Sequence, residues 1–199
     1  MNTAVIPGEP PELLRRLQRH CRWRLEPNPG GRPTKKPDQS TCDLKACRTW
    51  DQIKAQPRSS EAGIGFVVTG GLVFKLKDGR TATLLFIDLD ACCDPLTGDI
   101  APWALDVIRA CGHSFTEVSP SGPGLRGIVF VVEPPRGVRA KVDVPFPARG
   151  PGHKKPNIQL FGLGPAGYVT MTGRRLAVSS TDVLMVENLD AIVASFDLG

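Results

Sequence analysis

The sequence predicts an α+β fold of mostly antiparallel strands with a few flanking helices. Three observations carry that expectation. Gly (21) and Pro (19) make up about a fifth of the 199 residues, which favours many short elements joined by turns over a helical bundle. Apolar stretches of strand length recur along the chain, separated by turn signals at hairpin spacing. The segments with helical periodicity are few and do not alternate regularly with the strands, as a doubly wound parallel sheet would require. With 41% hydrophobic and 23% charged residues, the chain can build a core and is not disordered throughout.

Residues 10–21, PPELLRRLQRHC, predict a helix, because proline suits the first turn and Leu13, Leu14 and Leu17 share one face. Trp23-Arg24-Leu25 predicts a short strand, and PNPGGRPTKKPDQST a loop. Residues 48–56 predict a short helix. GIGFVVT (63–69) reads as a buried strand, and GLVFKLK follows as a second hydrophobic stretch. The Asp78-Gly79 turn signal predicts a hairpin into TATLLFIDLD (81–90). IAPWALDVIRACG (100–112) is the clearest amphipathic helix, with a glycine stop. SFTEVS and RGIVFVV (126–132) predict two strands around the tight turn PSGPG. The proline-rich, basic stretch 133–156 reads as a long loop. NIQLF (157–161) and YVTMTG (168–173) predict a further strand pair, and 186–196 a closing helix. One domain over 1–199 is expected, comprising a basic N-terminal part (1–60), a core (61–185) and the closing helix (186–199).

The net charge of +5 is unevenly placed. Residues 1–60 hold 12 Lys/Arg against 6 Asp/Glu, and residues 61–199 hold 13 against 14. Clustered cations suggest a polyanion partner, although a solvated basic surface explains a net charge of this size equally well. No apolar run approaches the ~20 residues that cross a bilayer, and no basic segment followed by an apolar one marks a secretory signal. A cytoplasmic protein without membrane association is therefore expected, with its six cysteines as free thiols. Cys21, Cys42 and Cys47 with His20 match no common zinc spacing, and Cys92 and Cys93 read as buried fillers.

The sharpest local feature is Leu84-Leu85-Phe86-Ile87-Asp88-Leu89-Asp90, a hydrophobic strand ending in two carboxylates. Side chains alternate along a strand, so Asp88 and Asp90 project from one face about 6.5–7 Å apart. Two such carboxylates repel unless a cation lies between them, and Mg²⁺ or Mn²⁺ favours carboxylate oxygens completed by phosphates and water. The plain alternative is a strand end running into solvent. The second feature is Glu117-Val118-Ser119-Pro120-Ser121-Gly122-Pro123-Gly124-Leu125-Arg126. Its glycines let backbone N–H groups approach an anion, and its hydroxyls and guanidinium can bond phosphate oxygens. A simple Ser/Gly/Pro turn is again the plain alternative.

These pieces occur in an ordered series. Trp23 and Thr34-Lys35-Lys36-Pro37 come first, then Thr49-Trp50, Gly63–Thr69, Ile87-Asp88-Leu89-Asp90 and Glu117–Leu125. Ile158-Gln159-Leu160-Phe161 and Tyr168–Gly173 complete it. The series, over roughly residues 20–175, resembles the primase–polymerase domain of phages and plasmids, in the archaeo-eukaryotic primase superfamily. The resemblance implies an RRM-like core with an N-terminal α/β part. It further implies primer or DNA synthesis from nucleoside triphosphates on a single-stranded DNA template, with Mg²⁺ or Mn²⁺ held by Asp88 and Asp90. By the same resemblance, Ser119, Ser121, Gly122, Arg126, Gln159 and Tyr168 lie at the incoming nucleotide, while Arg32, Lys35 and Lys36 contact nucleic acid or triphosphate. A separate helicase is an implied partner, and phage or plasmid replication in a bacterial host the implied setting.

The sequence departs from the family pattern at three positions. Arg126 stands where a histidine is usual, Gln159 where a third acid is common, and Gly167 where a basic residue often precedes the aromatic. Glu117 and Asp143 are the acids that could substitute for the missing one. The departures motivate an alternative, a relative that binds single-stranded DNA or nucleotide without polymerising. A structural domain with an incidental acidic pair is the third reading.

Overall fold

The structure is a computed structural model, which describes residues 4–29, 33–57, 62–137, 141–145, 155–164 and 167–196. In chain order the elements are β1 (Val5–Ile6), α1 (Glu12–Arg16), β2 (His20–Glu26), β3 (Thr34–Pro37), α2 (Trp50–Lys54), β4 (Ala62–Val67), β5 (Val73–Lys75) and β6 (Thr81–Asp90). There follow α3 (Pro102–Ala110), β7 (Thr116–Val118), β8 (Leu125–Val131), β9 (Lys141–Asp143), β10 (Asn157–Phe161), β11 (Tyr168–Met171), β12 (Arg175–Leu176), β13 (Met185–Val186) and α4 (Asp190–Ser195). The fold is mixed α+β, as the sequence predicts. The larger sheet runs β1-β12-β7-β8-β6-β10-β9, with β5 pairing β6 and β13 pairing β8. The smaller sheet runs β11-β4-β2-β3. All the pairings of named strands are antiparallel except β13 with β8.

Strand β6 is the axis of the molecule because both of its faces are buried. Leu85, Ile87 and Leu89 pack into a core with Trp103, Ala104, Val107 and Ile108 of α3 and Ile192 of α4. Leu84 and Phe86, on the opposite face, pack with Ile64 and Phe66 of β4, Val169 and Met171 of β11, and Trp50 and Ile53 of α2. Helices thus cover one face of the large sheet, and the small sheet with α1 and α2 covers the other. A strand buried on both faces reads as a continuous apolar run, as residues 84–87 do.

Local chemistry accounts for several boundaries. The Thr49 hydroxyl accepts from the Gln52 amide at 3.3 Å and the Gln52 side chain accepts from the Thr49 amide at 3.0 Å, a capping box that starts α2. Pro102 opens α3, and Gly112 at φ +63° follows its end. Gly79 at φ +86° turns the β5–β6 hairpin at the predicted Asp-Gly signal.

Four expectations are corrected. The stretch PNPGGRPTKKPDQST is not loop throughout, since Thr34–Pro37 form β3 against β2. The helix predicted over 10–21 covers only 12–16. Leu17 is extended at ψ 133°, and His20–Arg24 pair with β4 from Phe66 to Ala62, so strand pairing wins over helical periodicity there. The stretch 133–156 is not loop throughout, since Lys141–Asp143 form β9 against β10. Strands β10 and β11 do not pair with each other. β10 lies between β6 and β9, whereas β11 lies on β4 in the other sheet. Gly162, at φ +103° with the Leu84 carbonyl oxygen 2.7 Å from where a Cβ would sit, stands in that connection, where a side chain would be both strained and blocked. Among the described residues no helix is long and apolar enough to cross a membrane.

His20 is fully buried beneath the small sheet, edge-on to Trp50 and Phe66 at 5.7 and 5.1 Å between ring centroids. Its Nδ1 bonds the Leu17 carbonyl at 3.1 Å, so the proton sits on Nδ1. Burial pushes its pKa down to about 4, so the folded protein holds it neutral where the unfolded chain would protonate it. Between the unfolded value of 6.5 and about 4 the unfolded chain binds more protons, and stability falls as pH falls. Urea unfolding at pH 7 and pH 4.5 is expected to show a loss of about 2–3 kcal/mol from this group. His20→Gln is expected to show a correspondingly smaller loss over the same interval.

Candidate active site

The even-numbered side chains of β6 change character along the strand. Leu84 and Phe86 lie in the apolar core between the sheets, and Asp88 and Asp90 continue the same face at its polar end. Strand register then fixes their neighbours. Glu117 on β7 is opposite Arg126 on β8, Arg126 is opposite Asp88, and Asp88 is opposite Gln159 on β10. The row extends outward to Arg175 on β12 and Lys141 on β9. A second, shorter row holds Asp90, Asn157 and Asp143 on β6, β10 and β9. Directly opposed residues project from the same face, so the first row alternates positive and negative charge across four strands, from Arg175 to Asp88.

Arg126 is the centre of that row. Its Nη2 donates to Asp88 Oδ1 at 2.6 Å, and its Nη1 donates to Thr170 Oγ1 on β11 at 3.1 Å. Glu117 Oε1 lies 3.6 Å from Nη1, close enough to attract but too far to bond. The Arg126 side chain is 6% exposed and that of Asp88 18%, so this is a largely buried pair. Glu117 is fully buried. Its Oε2 accepts from the amides of Thr172 at 3.0 Å and Gly173 at 2.8 Å, while Oε1 has no hydrogen-bond partner. Burial pushes the Glu117 carboxyl up, and the Arg126 charge and the two amides only partly offset this.

The Ser119–Gly124 turn is locked to the end of β6. The Ser119 amide donates to the Gly124 carbonyl at 2.8 Å, and the Ser119 and Ser121 hydroxyls lie 3.2 Å apart. Gly122 has φ +95°. A Cβ on Gly124 would sit 3.0 Å from the Leu89 carbonyl oxygen, so glycine permits the close approach of the two strands. The Cys93 amide donates to the Pro123 carbonyl at 3.0 Å. Ala91, directly after Asp90, has φ +54°, an uncommon conformation for a residue with a Cβ. Cys92 and Cys93 are buried, as the sequence predicts, and the burial of Cys92 holds its thiol pKa well above the ordinary value.

The other predicted site residues lie on the small sheet. Tyr168 lies on β11 beside Thr170, and its phenol donates to the Lys35 carbonyl on β3. Burial pushes its pKa up to about 12, while the Arg126 charge acts in the opposite sense. The Lys35 ammonium lies 5.7 Å from the Trp23 ring centroid. Lys36 pairs with Glu26 at 3.0 Å. Arg32 lies outside the described residues. Pro120, in the Ser–Gly turn, also borders a cleft of about 630 Å³ lined by Trp23, Trp50, Lys54, Thr172 and Arg174.

Much of the N-terminal positive charge is engaged internally. Arg19 donates to the Thr69 carbonyl at 2.7 Å, Arg22 to that of Ile53 at 2.7 Å, and Arg48 to that of Ala46 at 3.0 Å. Arg15 pairs with Glu9 at 2.9 Å, and Lys54 also pairs with Glu9. The clustered cations therefore do much of their work holding α2 and the loops to the small sheet. Among the described residues no three His, Cys, Asp or Glu side chains gather at metal-binding range. The oxygen donors on the polar face do suit a hard divalent cation. Asn157 faces Asp90 there with its amide nitrogen, Nδ2 donating to Asp90 Oδ2 at 3.3 Å, while its buried Oδ1 has no hydrogen-bond partner. Thr170 and Asn157 did not stand out in the sequence. The one signal for Asn157 is that Asn157-x-Gln159 repeats the spacing of Asp88-x-Asp90, which becomes informative once β10 is known to pair with β6.

Arg126→Met would leave the Asp88 and Glu117 carboxylates uncompensated and is expected to cost about 3–5 kcal/mol in denaturant unfolding near neutral pH. Because the fold holds the Glu117 proton more tightly than the unfolded chain does, that deficit is expected to deepen as pH rises through the Glu117 pKa and shrink on acidification. Ala91→Gly relieves the left-handed strain after Asp90 and is expected to raise stability by about 1 kcal/mol in the same assay. No protein-family model matches the sequence and no curated protein matches it, so the reading of this site rests on its residues.

Proposed function

We propose that the protein is a template-dependent nucleotidyltransferase, a primase or DNA polymerase domain with an RRM-like catalytic core, acting in phage or plasmid replication. One observation carries the reading. Asp88 and Asp90 end the central strand on one face, next to a Ser–Gly turn, with an arginine and an amide pair on the neighbouring strands. Antiparallel strands backed by helices on the far face support the same core.

In this reading Asp88 and Asp90 hold Mg²⁺ or Mn²⁺. The bound cation neutralises triphosphate charge and favours in-line displacement. A primer 3′-oxygen bonds the α-phosphorus, the bond from that phosphorus to the α–β bridging oxygen breaks, and pyrophosphate leaves as the hydroxyl proton passes to solvent. Ser119 and Ser121 present hydroxyls to the phosphates, and Gly122, at φ +95°, shapes the turn that carries them. Arg126, buried and bonded to Asp88 and Thr170, holds Asp88 in position, and its guanidinium would reach the triphosphate only once that pair opens. Gln159, opposite Asp88, and Tyr168, held on the small sheet by its bond to the Lys35 carbonyl, would lie at the nucleotide. Lys54 and Arg174 give the adjoining cleft, bordered by the buried Trp23 and Trp50, cations for phosphates. Lys35 and Lys36, with Arg32 nearby in the chain, lie along the path of a single-stranded DNA template, and a separate helicase would supply that template.

A second reading is favoured by the 2.6 Å pair between Arg126 and Asp88, which a cation must compete with, and by the neutral Gln159. It is a module that binds single-stranded DNA or nucleotide without joining nucleotides. Incorporation of radiolabelled nucleotide on a single-stranded template, with Mg²⁺ or Mn²⁺, separates the two. Polymerisation by the parent, lost in Asp88→Ala/Asp90→Ala and increased in Gln159→Glu, is the expected result. Equal incorporation by parent and double variant would reject the catalytic assignment. Salt-sensitive DNA binding with no extension under any divalent metal would establish the second reading.

A further inference from the structure

We infer that Glu117 is a positioning residue for the proposed cation site, the buried anion onto which Arg126 moves when a divalent cation takes Asp88. The inference rests on the proposed cation role of Asp88 and Asp90. It gives the site a way to free a carboxylate that an arginine otherwise holds.

Asp88 Oδ1 accepts from Arg126 Nη2 at 2.6 Å. A divalent cation at Asp88 would set two positive charges against one carboxylate. The Arg126 side chain is only 6% exposed, so water screens that repulsion poorly, and the guanidinium needs another anion within reach. Glu117 stands on the other side of it. Strand register places Arg126 on β8 directly between Asp88 on β6 and Glu117 on β7. Glu117 Oε1 lies 3.6 Å from Nη1, a little beyond the ~2.9 Å of an ordinary N–H···O bond. A tilt of the side chain toward β7 closes that contact as it opens the one to Asp88.

The Glu117 carboxylate is prepared for this exchange. It is fully buried, and Oε1 has no hydrogen-bond partner. Oε2 accepts from the amides of Thr172 at 3.0 Å and Gly173 at 2.8 Å, which anchors the group by one oxygen and leaves the other facing the guanidinium. Nη1 is a donor and no acceptor is bonded to Oε1, so Oε1 meets Arg126 with a lone pair, not with an acid hydrogen. Nη1 also carries two hydrogens, of which the bond to Thr170 Oγ1 at 3.1 Å uses one. A buried oxygen without a partner calls for an explanation, and a partner that arrives only when the cation binds supplies it. Without the ion the buried pair is Arg126 with Asp88. With the ion it is Arg126 with Glu117, and both aspartates face the metal.

Calorimetric titration of Mn²⁺ into the parent, Glu117→Gln, Glu117→Gln/Arg126→Met and Asp88→Ala/Asp90→Ala tests the assignment. In Glu117→Gln the two backbone amides still need an acceptor, so the carboxamide oxygen takes the place of Oε2 and its NH₂ group faces the guanidinium. Arg126 is then confined to Asp88, and Mn²⁺ binding is expected to weaken by about tenfold or more. Glu117→Gln/Arg126→Met removes the competing charge as well and is expected to bind Mn²⁺ at least as tightly as the parent. A purely structural role for Glu117 would leave that double variant no tighter than Glu117→Gln. A second measurement uses the unaltered chain. On titration with Mg²⁺, the ¹³C-labelled side-chain carboxyl of Glu117 is expected to shift saturably, with the same midpoint as those of Asp88 and Asp90. Parent-like Mn²⁺ binding by Glu117→Gln, no rescue by Arg126→Met, or a Glu117 carboxyl unmoved while the aspartates respond would each overturn this inference and leave the aspartate site standing. Binding to Asp88→Ala/Asp90→Ala as tight as to the parent would overturn both.

Discussion

The Arg126 guanidinium is held between two carboxylates on neighbouring strands, bonded to Asp88 on β6 and drawn to Glu117 on β7. It is almost completely removed from water, so its charge is compensated by protein groups or not at all. That constraint organises the polar end of the large sheet. It fixes which face of β6 becomes polar after Phe86, sets the orientation of Asp88, and reaches Thr170 to tie the large sheet to the edge of the small one. Beyond this row the side chains of β6 lie in apolar clusters on both faces of the strand.

The same arrangement ties the Ser–Gly turn to the end of β6. Gly124 admits β8 close to Leu89, Cys93 is bonded to Pro123, and Ala91 turns the chain in a strained conformation directly after Asp90. The turn that carries Ser119 and Ser121 therefore moves with the strand end that carries the carboxylates. A site that must hold a phosphate chain and a cation at fixed separation benefits from that rigid coupling, because loosely held donors lose much of their advantage in positioning.

Much of the architecture was legible because its signals are local. The Asp78-Gly79 hairpin, the proline start and glycine stop of α3, and the alternation that puts Asp88 and Asp90 on one face depend on short-range backbone rules. The errors came from long-range pairing. Leu13, Leu14 and Leu17 have helical spacing, yet the chain leaves the helix because His20–Arg24 find a partner in β4, a segment some forty residues on. Strands β10 and β11 are close in sequence, yet they belong to different sheets. The same limit applies to the site. Asp88 and Asp90 declared themselves through spacing alone. Asn157 and the alternating row from Arg175 to Asp88 exist only through register across strands far apart in sequence. The basic N-terminal third likewise suggested a polyanion surface from composition, whereas Arg19, Arg22 and Arg48 are bonded to backbone carbonyls within the fold.

The central claim is that the carboxylate face at the end of β6 binds a divalent cation with a nucleoside triphosphate. Crystals grown with Mn²⁺ and a non-hydrolysable nucleoside triphosphate test it most directly, through anomalous scattering at the manganese absorption edge. The expected result is an anomalous peak at coordination distance from both Asp88 and Asp90, with the triphosphate running toward Ser119–Gly124. Manganese bound elsewhere on the chain, with Asp88 still bonded to Arg126 and no ion at Asp90, would contradict it.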